Sequence, residues 1–337
     1  TRKNIKGEAY VLRAYSYFYL VNLYAVPYNP ETCTTDPGMP ITKSTSAEDK
    51  AYTRNTVKEV YDLIVDDLLE GIKLMEANPI KKEAKLKFDA LSAKALLARV
   101  YLYMQDWHNA ALTAEELLKE DTRLYHMSAR DSARIFLSED NTEVLFSQGS
   151  MNFYNGMTGN RGDFAVSDSL VQLYDQENDY RRYFFGKNQS TSANSLQWKY
   201  DTIAVPHVSD IYTLRIAEGY LNLAEAYAME DNFQGANQYL RLLRESRIRN
   251  YVHTTYTGEK LVEEIRLERR RELCFEGHRW FDLRRQGMPE LRHIFTNGGS
   301  RKEYILPTGS KSYTLPIPKK IREQNKIIVN IERPEQQ

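Results

Sequence analysis

The feature that most constrains the fold of this chain is a pair of matching segments, residues 97–117 and 223–243. In both, small and large side chains recur at the same spacing, a pattern typical of tetratricopeptide-like repeats built from two antiparallel helices. The first set is Leu97, Ala98, Tyr101, Trp107, Ala110, Ala114 and Leu117, and the second is Leu223, Ala224, Tyr227, Phe233, Ala236, Leu240 and Leu243. Polar turns, Gln105-Asp106 and Asp231-Asn232, divide each segment in two. The pattern predicts a helical protein with at least two such pairs.

Two further helix pairs are predicted on either side of the repeats. One pairs a long, aromatic-rich helix over residues 7–24 with a helix over about 56–76. Thr56 and Glu59 form a capping box at the start of the second helix, and apolar residues follow at helical spacing. The other pair uses residues 261–287.

The two repeats are separated by a segment of different character, residues 125–208. Glycine and asparagine are frequent there and helical periodicity is lost, while residues 143–148 and 197–205 read as short strands. Binding residues are often placed on loop-rich segments carried by a rigid scaffold, so this insertion is the first place to look for a ligand site. A second irregular stretch is expected over residues 295–318, where Gly298-Gly299 marks a loop.

Composition argues against several function classes. The 337-residue chain has 46 basic and 46 acidic residues, so it lacks the basic excess of a nucleic-acid-binding protein. Its two cysteines, Cys33 and Cys274, are too few for a disulfide framework and are not spaced as metal ligands. No nucleophile elbow or phosphate-binding loop occurs, and the histidines are scattered, so no metal site, cofactor or catalytic activity is predicted.

The segment over residues 266–287 is unusually rich in arginine. Acidic residues alternate with the arginines at spacings of three and four, as in the pairs Glu268 with Arg271 and Glu272 with Arg269. On a helix such residues are neighbours, which predicts a structural ion-pair lattice. The alternative, an anion-binding stripe, would need an uncompensated basic face.

Three motifs lie along the chain. They are GEAYVLRAYSYFYLVNLYAVPY over residues 7–28, the arginine-rich segment RLERRRELCFEGHRWFDLRRQG, and YTLPIP over residues 313–318. They resemble, in that order, the first long helix, the C-terminal signature and the closing element of the SusD/RagB family of nutrient-binding lipoproteins. The motifs occur in family order and span nearly the whole chain.

The resemblance implies a mainly α fold in which four tetratricopeptide-like helix pairs form a curved scaffold, with a loop-rich mixed α/β insertion between the second and third pairs. A single domain, 1–337, is expected. Its scaffold would occupy about 1–124 and 209–290, its insertion about 125–208, and a C-terminal irregular segment about 291–337. The family signature is expected to be structural, with side chains buried or paired. These residues are Arg271, Glu272, Phe275, Glu276, Arg279, Trp280 and Asp282.

By the same resemblance, the protein would be lipid-anchored at the outer face of the outer membrane. It would capture an oligosaccharide, or another polymeric nutrient such as a peptide, and hand it to a SusC-like TonB-dependent transporter without breaking a bond. No secretory signal opens the chain, so a signal peptide and an anchoring cysteine are expected to precede Thr1 in the natural protein.

Sugar binding needs flat aromatic faces beside planar amide or guanidinium groups. The insertion places Asn152, Phe153, Tyr154 and Arg161 in one glycine-flanked polar loop, and Tyr28 follows the first helix. These are the candidate ligand residues. Phe153 and Tyr154 could equally plug the loop onto the scaffold. The similar group at residues 180–183 is expected to be structural.

Two other functions remain open from the sequence. An intracellular tetratricopeptide scaffold would bind protein partners in its groove, and a precursor without an N-terminal signal and cysteine would favour it. A glycan-processing enzyme would release reducing ends from polysaccharides, and no motif in the sequence favours it.

Overall fold

The computed structural model describes residues 1–44, 46, 50–81, 85–128, 136–138, 141–148, 165–188, 192–196, 199, 213–297 and 299–331. The helices within this part of the chain are α1 (Arg2–Tyr24), α2 (Val57–Glu76), α3 (Ala90–Met104), α4 (Trp107–Glu120), α5 (Asp168–Val171), α6 (Ile216–Met229), α7 (Phe233–Glu245), α8 (Gly258–Glu272), α9 (Arg279–Arg285) and α10 (Lys319–Gln324). Short 3₁₀ helices span Tyr180–Phe184 and Lys311–Tyr313. The fold is therefore mainly α, as predicted.

The described strands form three small antiparallel sheets of two strands each. They are β1 (Val144–Phe146), β2 (Phe185–Lys187), β3 (Asn194–Leu196), β4 (Leu214–Arg215), β5 (Leu291–Asn297) and β6 (Ser300–Leu306). The pairs are β1 with β4, β2 with β3, and β5 with β6. The prediction of a strand near residues 143–148 is confirmed, whereas most of the second predicted strand, residues 197–205, lies outside the described residues.

The chain forms two compact units. One contains residues 1–8, 71–102 and 106–279, and the other contains residues 9–70, 103–105 and 280–337. The predicted division into scaffold, insertion and C-terminal segment stays a prediction. In the first unit a core cluster of the insertion, which includes Phe136, Val144, Leu170 and Phe184, lies apart from a second cluster formed by α6, α7 and α8.

Both tetratricopeptide-like repeats are confirmed as helix pairs, α3 with α4 and α6 with α7. Each pair is joined by the predicted polar turn, and Asp106 and Asn232 cap the following helices by accepting the backbone N–H groups of Asn109 and Gly235. The small positions of both repeats are buried: Ala98, Ala110, Ala114, Ala224 and Ala236 are all fully inaccessible to solvent. These alanines let neighbouring helices approach closely, which is the role of small residues in the repeat.

The α6–α7 contact depends on Gly235. A Cβ atom at this position would lie 2.6 Å from the Tyr227 ring, too close for any side chain. The Tyr227 hydroxyl donates a hydrogen bond to Glu115 of α4 at 2.6 Å. Tyr227 therefore packs within the second helix pair and also bonds to α4 of the first repeat.

Helices α1 and α2 are held together by polar contacts within the second unit. Arg13 makes a bidentate ion pair with Asp67, with both distances at 2.7 Å, and the Asn22 amide donates to the Tyr61 hydroxyl at 3.0 Å. The capping box is confirmed, because the Thr56 backbone N–H donates to Glu59 at 2.7 Å and the Glu59 N–H donates to the Thr56 hydroxyl at 3.1 Å. Such a box stabilises the first turn of α2.

The expectation of an irregular chain over residues 295–318 is wrong at its start. Strands β5 and β6 pair there in continuous register from Leu291 opposite Leu306 to Asn297 opposite Ser300. Gly299 at the turn has φ of +83°, a conformation that glycine adopts without steric cost. Asn297-Gly298 is a strong sequence signal for a hairpin, and the sequence interpretation treated these glycines only as a loop.

Candidate functional site

The family signature contributes three carboxylates to a cluster of buried charged residues, here called the ionic core. Its members come from the insertion, from β4, from α7 and the turn that follows it, and from α8 and the turn after it. The cations are Arg181, Lys199, Arg215, Arg244 and Arg247, and the anions are Glu143, Asp179, Glu268, Glu272 and Glu276. All ten are buried. The signs balance, which is the condition for keeping charges away from water.

Glu272 is the centre of the ionic core. Its carboxylate accepts hydrogen bonds from Arg215 at 2.6 Å, from Arg247 at 2.9 Å and from Arg181 at 2.9 Å. Burial alone would raise the pKa of Glu272, but the three guanidinium charges outweigh it and hold that pKa well below its usual range. The carboxylate is therefore ionised at any physiological pH and suits structure better than proton transfer.

The other signature carboxylates are bound in the same way. Arg244 and Arg181 hold Glu268 at 2.8 and 2.6 Å, while Arg215 and Lys199 hold Glu276, each at 2.8 Å. Burial opposes ionisation of both, yet the neighbouring cations lower the pKa of each carboxyl. The ionic core thus ties the insertion, through Arg181 and Lys199, to the helical signature.

The predicted lattice of ion pairs within α8 is only partly present. Arg271 does pair with Glu268 at 3.0 Å, but Glu272 is bound instead by arginines from outside the helix. Arg269 donates to Asn222 at 2.7 Å and to Glu218 at 3.2 Å, both on α6. The pairs of Glu268 and Glu272 are mainly tertiary because both carboxylates are buried and face the protein interior.

The rest of the signature occupies mixed environments. Asp282 is buried and bonds Arg285 at 2.9 Å, whereas the Arg279 side chain is exposed. Trp280 is half-buried and stacks on the buried ring of Tyr313, with ring centroids 4.8 Å apart. Phe275 packs against the core of the insertion and has φ of +62°, so it turns the chain between α8 and α9.

Of the five predicted ligand residues, Tyr28 alone lies in the described part of the chain. Asn152, Phe153, Tyr154 and Arg161 lie outside the described residues. Tyr28 lines a depression of about 550 Å³ in the second unit. Its ring meets the edge of the Tyr61 ring at a centroid distance of 5.0 Å. Burial, with a hydrogen bond to Cys33, raises the pKa of Tyr28, so its hydroxyl remains protonated at neutral pH.

Planar polar side chains surround Tyr28 in this depression. The wall includes Asn29, Gln105, Arg284 and Arg285, with Glu31 and Asp36 among the other polar residues. Arginine and amide groups of this kind donate hydrogen bonds in a fixed plane, which suits vicinal hydroxyl groups. The sequence does not point to Gln105, Arg284 and Arg285 as ligand residues, because the patterns of the first repeat and of the signature predict structural roles for them.

Arg284 is an unusual member of that wall. It is a buried cation whose Nη2 donates to the carbonyl of Ala25 and, at 3.3 Å, to the Thr314 hydroxyl. Among the described residues, Nε and Nη1 have no hydrogen-bond partner. Burial lowers the pKa of Arg284 to about 10, which still leaves it charged at neutral pH. Leaving two buried donors without partners costs free energy, so Arg284 is a destabilising feature of this wall.

A second depression, of about 650 Å³, lies in the first unit. Met229, Phe233 and Val262 form part of its apolar wall. Acidic residues line it at the N-terminal half of α8 and basic residues at the C-terminal half, for example Glu263 and Arg270. It is a groove of the tetratricopeptide-like scaffold, and Tyr28, the one predicted ligand residue within the described ranges, does not line it.

Two negative findings concern the described residues. None of their groups of His, Cys, Asp and Glu side chains is placed to hold a metal ion. None of the described helices is both long enough and apolar enough to cross a membrane.

The helix pairs, the mixed insertion and the ionic core define a tetratricopeptide-like helical protein with an inserted mixed segment. The family described as "SusD family" matches residues 101–332, and the description "Starch-binding associating with outer membrane" matches residues 1–102. Because the first match covers more than half of the chain, the protein belongs to the SusD/RagB family.

Individual relatives agree with this assignment. SusD-like protein P2 from Formosa agariphila is 24% identical over 385 residues, covering 95% of this chain and 72% of the relative. SusD-like protein P38 from the same organism is 24% identical over 346 residues, covering 82% of this chain and 65% of the relative. The chain therefore spans only part of the length of these relatives.

Solved structures share the fold over almost the whole chain. A SusD-like carbohydrate binding protein from Bacteroides vulgatus has a TM-score of 0.77 at 24% identity, covering 97% of this chain and 77% of that one. A SusD superfamily protein from the same species has a TM-score of 0.79 at 22% identity, covering 99% and 78%. At this level of identity the likeness establishes the fold.

Proposed function

We propose that the protein is a lipid-anchored binding protein of the outer-membrane surface that captures an oligosaccharide and delivers it to a SusC-like TonB-dependent transporter. The observation that carries the proposal is the depression beside Tyr28, where an aromatic side chain lies among amide and guanidinium groups. Membership of the SusD/RagB family supports this reading over that of an intracellular scaffold. A structural relative is itself described as a carbohydrate binding protein.

The chemistry of the described residues supports binding without turnover. The most strongly perturbed carboxylates, Glu268 and Glu272, have lowered pKa values and are fully engaged by arginines. A general acid needs a raised pKa near the working pH. The protein would bind the sugar, exclude part of its water shell and release it intact to the transporter.

Two regions are separate candidates for the ligand contact. In one, Tyr28 would contribute a ring face and a hydroxyl donor; in the other, the insertion loop would contribute Asn152, Phe153, Tyr154 and Arg161. Each ring that stacks on a sugar is worth roughly 0.5–1.5 kcal/mol beyond its buried area, so the loss of one ring weakens binding several-fold to tenfold.

Titration calorimetry against a panel of plant, host and microbial oligosaccharides tests the proposal. Wild-type protein should bind one class, Tyr28→Ala should weaken that binding, and Tyr28→Phe should separate the contribution of the hydroxyl from that of the ring. Leu112→Ala, an exposed apolar side chain outside both depressions, is the control. Absence of binding by wild-type protein across the panel would contradict the function. Unchanged affinity in Tyr28→Ala would remove this depression from the site.

Catalysis is checked on the same samples. We expect no reducing ends to be released from any glycan that binds, and no effect of a chelator on affinity. Turnover that disappears when one carboxylate pair is mutated would replace the binding-protein proposal with an enzyme.

A further inference from the structure

The β5–β6 hairpin carries four large apolar side chains that are exposed to solvent. Ile294, Phe295, Tyr304 and Ile305 are 44%, 50%, 48% and 47% exposed. Soluble proteins rarely leave contiguous large apolar side chains uncovered, and where they do the patch usually marks an interaction site.

Both faces of the hairpin are apolar. Residues paired across an antiparallel ladder share a face, and successive residues alternate between faces. Tyr304 pairs with His293, and Phe295 pairs with Lys302, which places the two rings on one face. Ile305 pairs with Arg292, and Ile294 pairs with Glu303, which places the two isoleucines on the other face. A partner that covered only one face would leave the second patch exposed.

The base of the hairpin is anchored even though its strands are exposed. The Tyr313 hydroxyl donates to the carbonyl of Pro289 at 2.5 Å, and the backbone N–H of Gly309 donates to the carbonyl of Met288 at 2.8 Å. Tyr313 is fully buried and stacks on Trp280. An isolated two-stranded hairpin is marginally stable in water, so this anchor is what presents the arm in a fixed position.

The charges on the arm are unevenly compensated. Arg292 is neutralised by Glu290 at 3.0 Å and Glu303 at 2.8 Å. Arg301 and Lys302, near the tip, have no carboxylate within ion-pair distance in the part of the chain that the structure describes, and Lys302 lies over the Tyr304 ring at 4.8 Å. The tip is therefore basic as well as apolar.

We propose that the β5–β6 hairpin is a docking arm that inserts into an acidic, apolar-floored cleft on the SusC-like transporter. This inference rests on the proposed function, because it names the surface by which the two proteins meet. The uncompensated Arg301 and Lys302 select an acidic partner, and apolar residues on both faces select a cleft rather than a flat surface.

The same observations disfavour two other occupants. A second copy of this chain would bring an equally basic tip against this one, and like charges oppose such a contact. A glycan would stack on Phe295 and Tyr304 but would gain little from Ile294 and Ile305 on the opposite face, since stacking needs aromatic rings.

The experiment uses the full-length, tagged protein purified with its transporter from native outer membranes, and then rebinding of the purified pair. Three double variants probe the arm: Phe295→Ser with Tyr304→Ser, Ile294→Ser with Ile305→Ser, and Arg301→Glu with Lys302→Glu. Val252→Ser and Val329→Ser, at highly exposed apolar positions outside the hairpin, are the matched controls.

We expect each arm variant to weaken rebinding of the transporter at least tenfold and both controls to leave it unchanged. Added salt should weaken the wild-type complex and should strengthen the residual binding of the charge-reversed variant, because it screens the repulsion between the new glutamates and the acidic cleft. Thermal melts should match wild type, because all six substituted side chains are exposed.

The other outcomes each overturn the inference in a recognisable way. Full rebinding by the arm variants, with an intact wild-type complex, rejects the docking arm and leaves the proposed function standing. No complex with wild-type protein rejects delivery to a transporter and the arm together. A wild-type dimer that the variants abolish identifies a second copy as the occupant, and loss of glycan affinity with the transporter complex retained identifies a sugar.

Discussion

Gln105 and Asp231 occupy equivalent turns of the two repeats and take the same left-handed backbone conformation, with φ of 60° at both. Each is followed by a residue that caps the next helix through its side chain, Asp106 in one turn and Asn232 in the other. Two different residue types thus adopt the same backbone conformation at equivalent positions. A left-handed conformation is costly for most residues and less so for Asp, so the two turns should respond differently to substitution.

The first prediction concerns the turn at Gln105. Gln105→Gly should be more stable than Gln105→Ala by about 1 kcal/mol, because alanine pays the steric cost of the left-handed region and glycine does not. Urea denaturation of both variants measures the difference. Asp231→Gly and Asp231→Ala form the matched pair, with a smaller gap expected. Equal stabilities of the two Gln105 variants would mean that the turn relaxes to another conformation.

The second prediction concerns the centre of the ionic core. Glu272→Gln removes the charge that Arg181, Arg215 and Arg247 share, while keeping the size of the side chain. Breaking a buried ion pair on one side typically costs about 3–5 kcal/mol, so the variant should unfold at much lower denaturant concentration. Glu263→Gln, exposed on the same helix, is the control and should change stability by less than about 0.5 kcal/mol.

The third prediction is the pH dependence that follows from the same core. The pKa values of Glu268, Glu272 and Glu276 are lowered in the folded protein relative to about 4.3 in the unfolded chain. Their contribution to stability is therefore fully present above about pH 5 and is lost as the pH falls towards the folded-state values. Denaturation curves from pH 7 to pH 3 should show stability declining below about pH 5, and the slope should be shallower in Glu272→Gln. A flat profile would contradict the lowered pKa values.

The repeats could be predicted from the sequence because their determinants are local. Small residues such as Ala98 and Ala236 lie close in sequence to large ones such as Leu97 and Phe233. The pattern that determines how the helices pack is therefore contained within a few turns of chain. The capping box of Thr56 and Glu59 spans three residues and formed as predicted. The resemblance of residues 266–287 to a family signature supplied the rest of the architecture.

The ionic core could not be predicted in the same way, because its partners are distant in sequence. Glu272 meets Arg181 from 91 residues away and Arg215 from 57 residues away. One sequence does not show which of its many arginines are buried. The segment containing Arg181 was correctly expected to be structural, although its partner Glu268 was assigned to a pair within α8 only.

The fourth prediction concerns Trp280 and its stacking on Tyr313. A fully buried Trp replaced by Ala costs about 3–5 kcal/mol, and since Trp280 is only half-buried we expect about 2–3 kcal/mol for Trp280→Ala. Trp280→Phe should recover much of the loss by keeping a stacked ring. Thermal melts of both variants provide the measurement, and an unchanged melt for Trp280→Ala would show that the stacking is peripheral to folding.

The last prediction asks which region holds the ligand. A sugar held by the insertion loop should lose affinity several-fold to tenfold in Phe153→Ala and in Tyr154→Ala, and a sugar held in the Tyr28 depression should lose as much in Tyr28→Ala. Loop substitutions that touch only the ligand should leave the free energy of unfolding within about 0.5 kcal/mol of wild type. Calorimetry gives the affinities, and the double variant Tyr28→Ala with Tyr154→Ala tests whether both residues contribute to binding or only one does. Normal affinity with lost stability in the loop variants would assign Phe153 and Tyr154 to the core of the insertion. Loss of affinity in the loop variants alone would place the sugar in the insertion and leave the Tyr28 depression without a ligand.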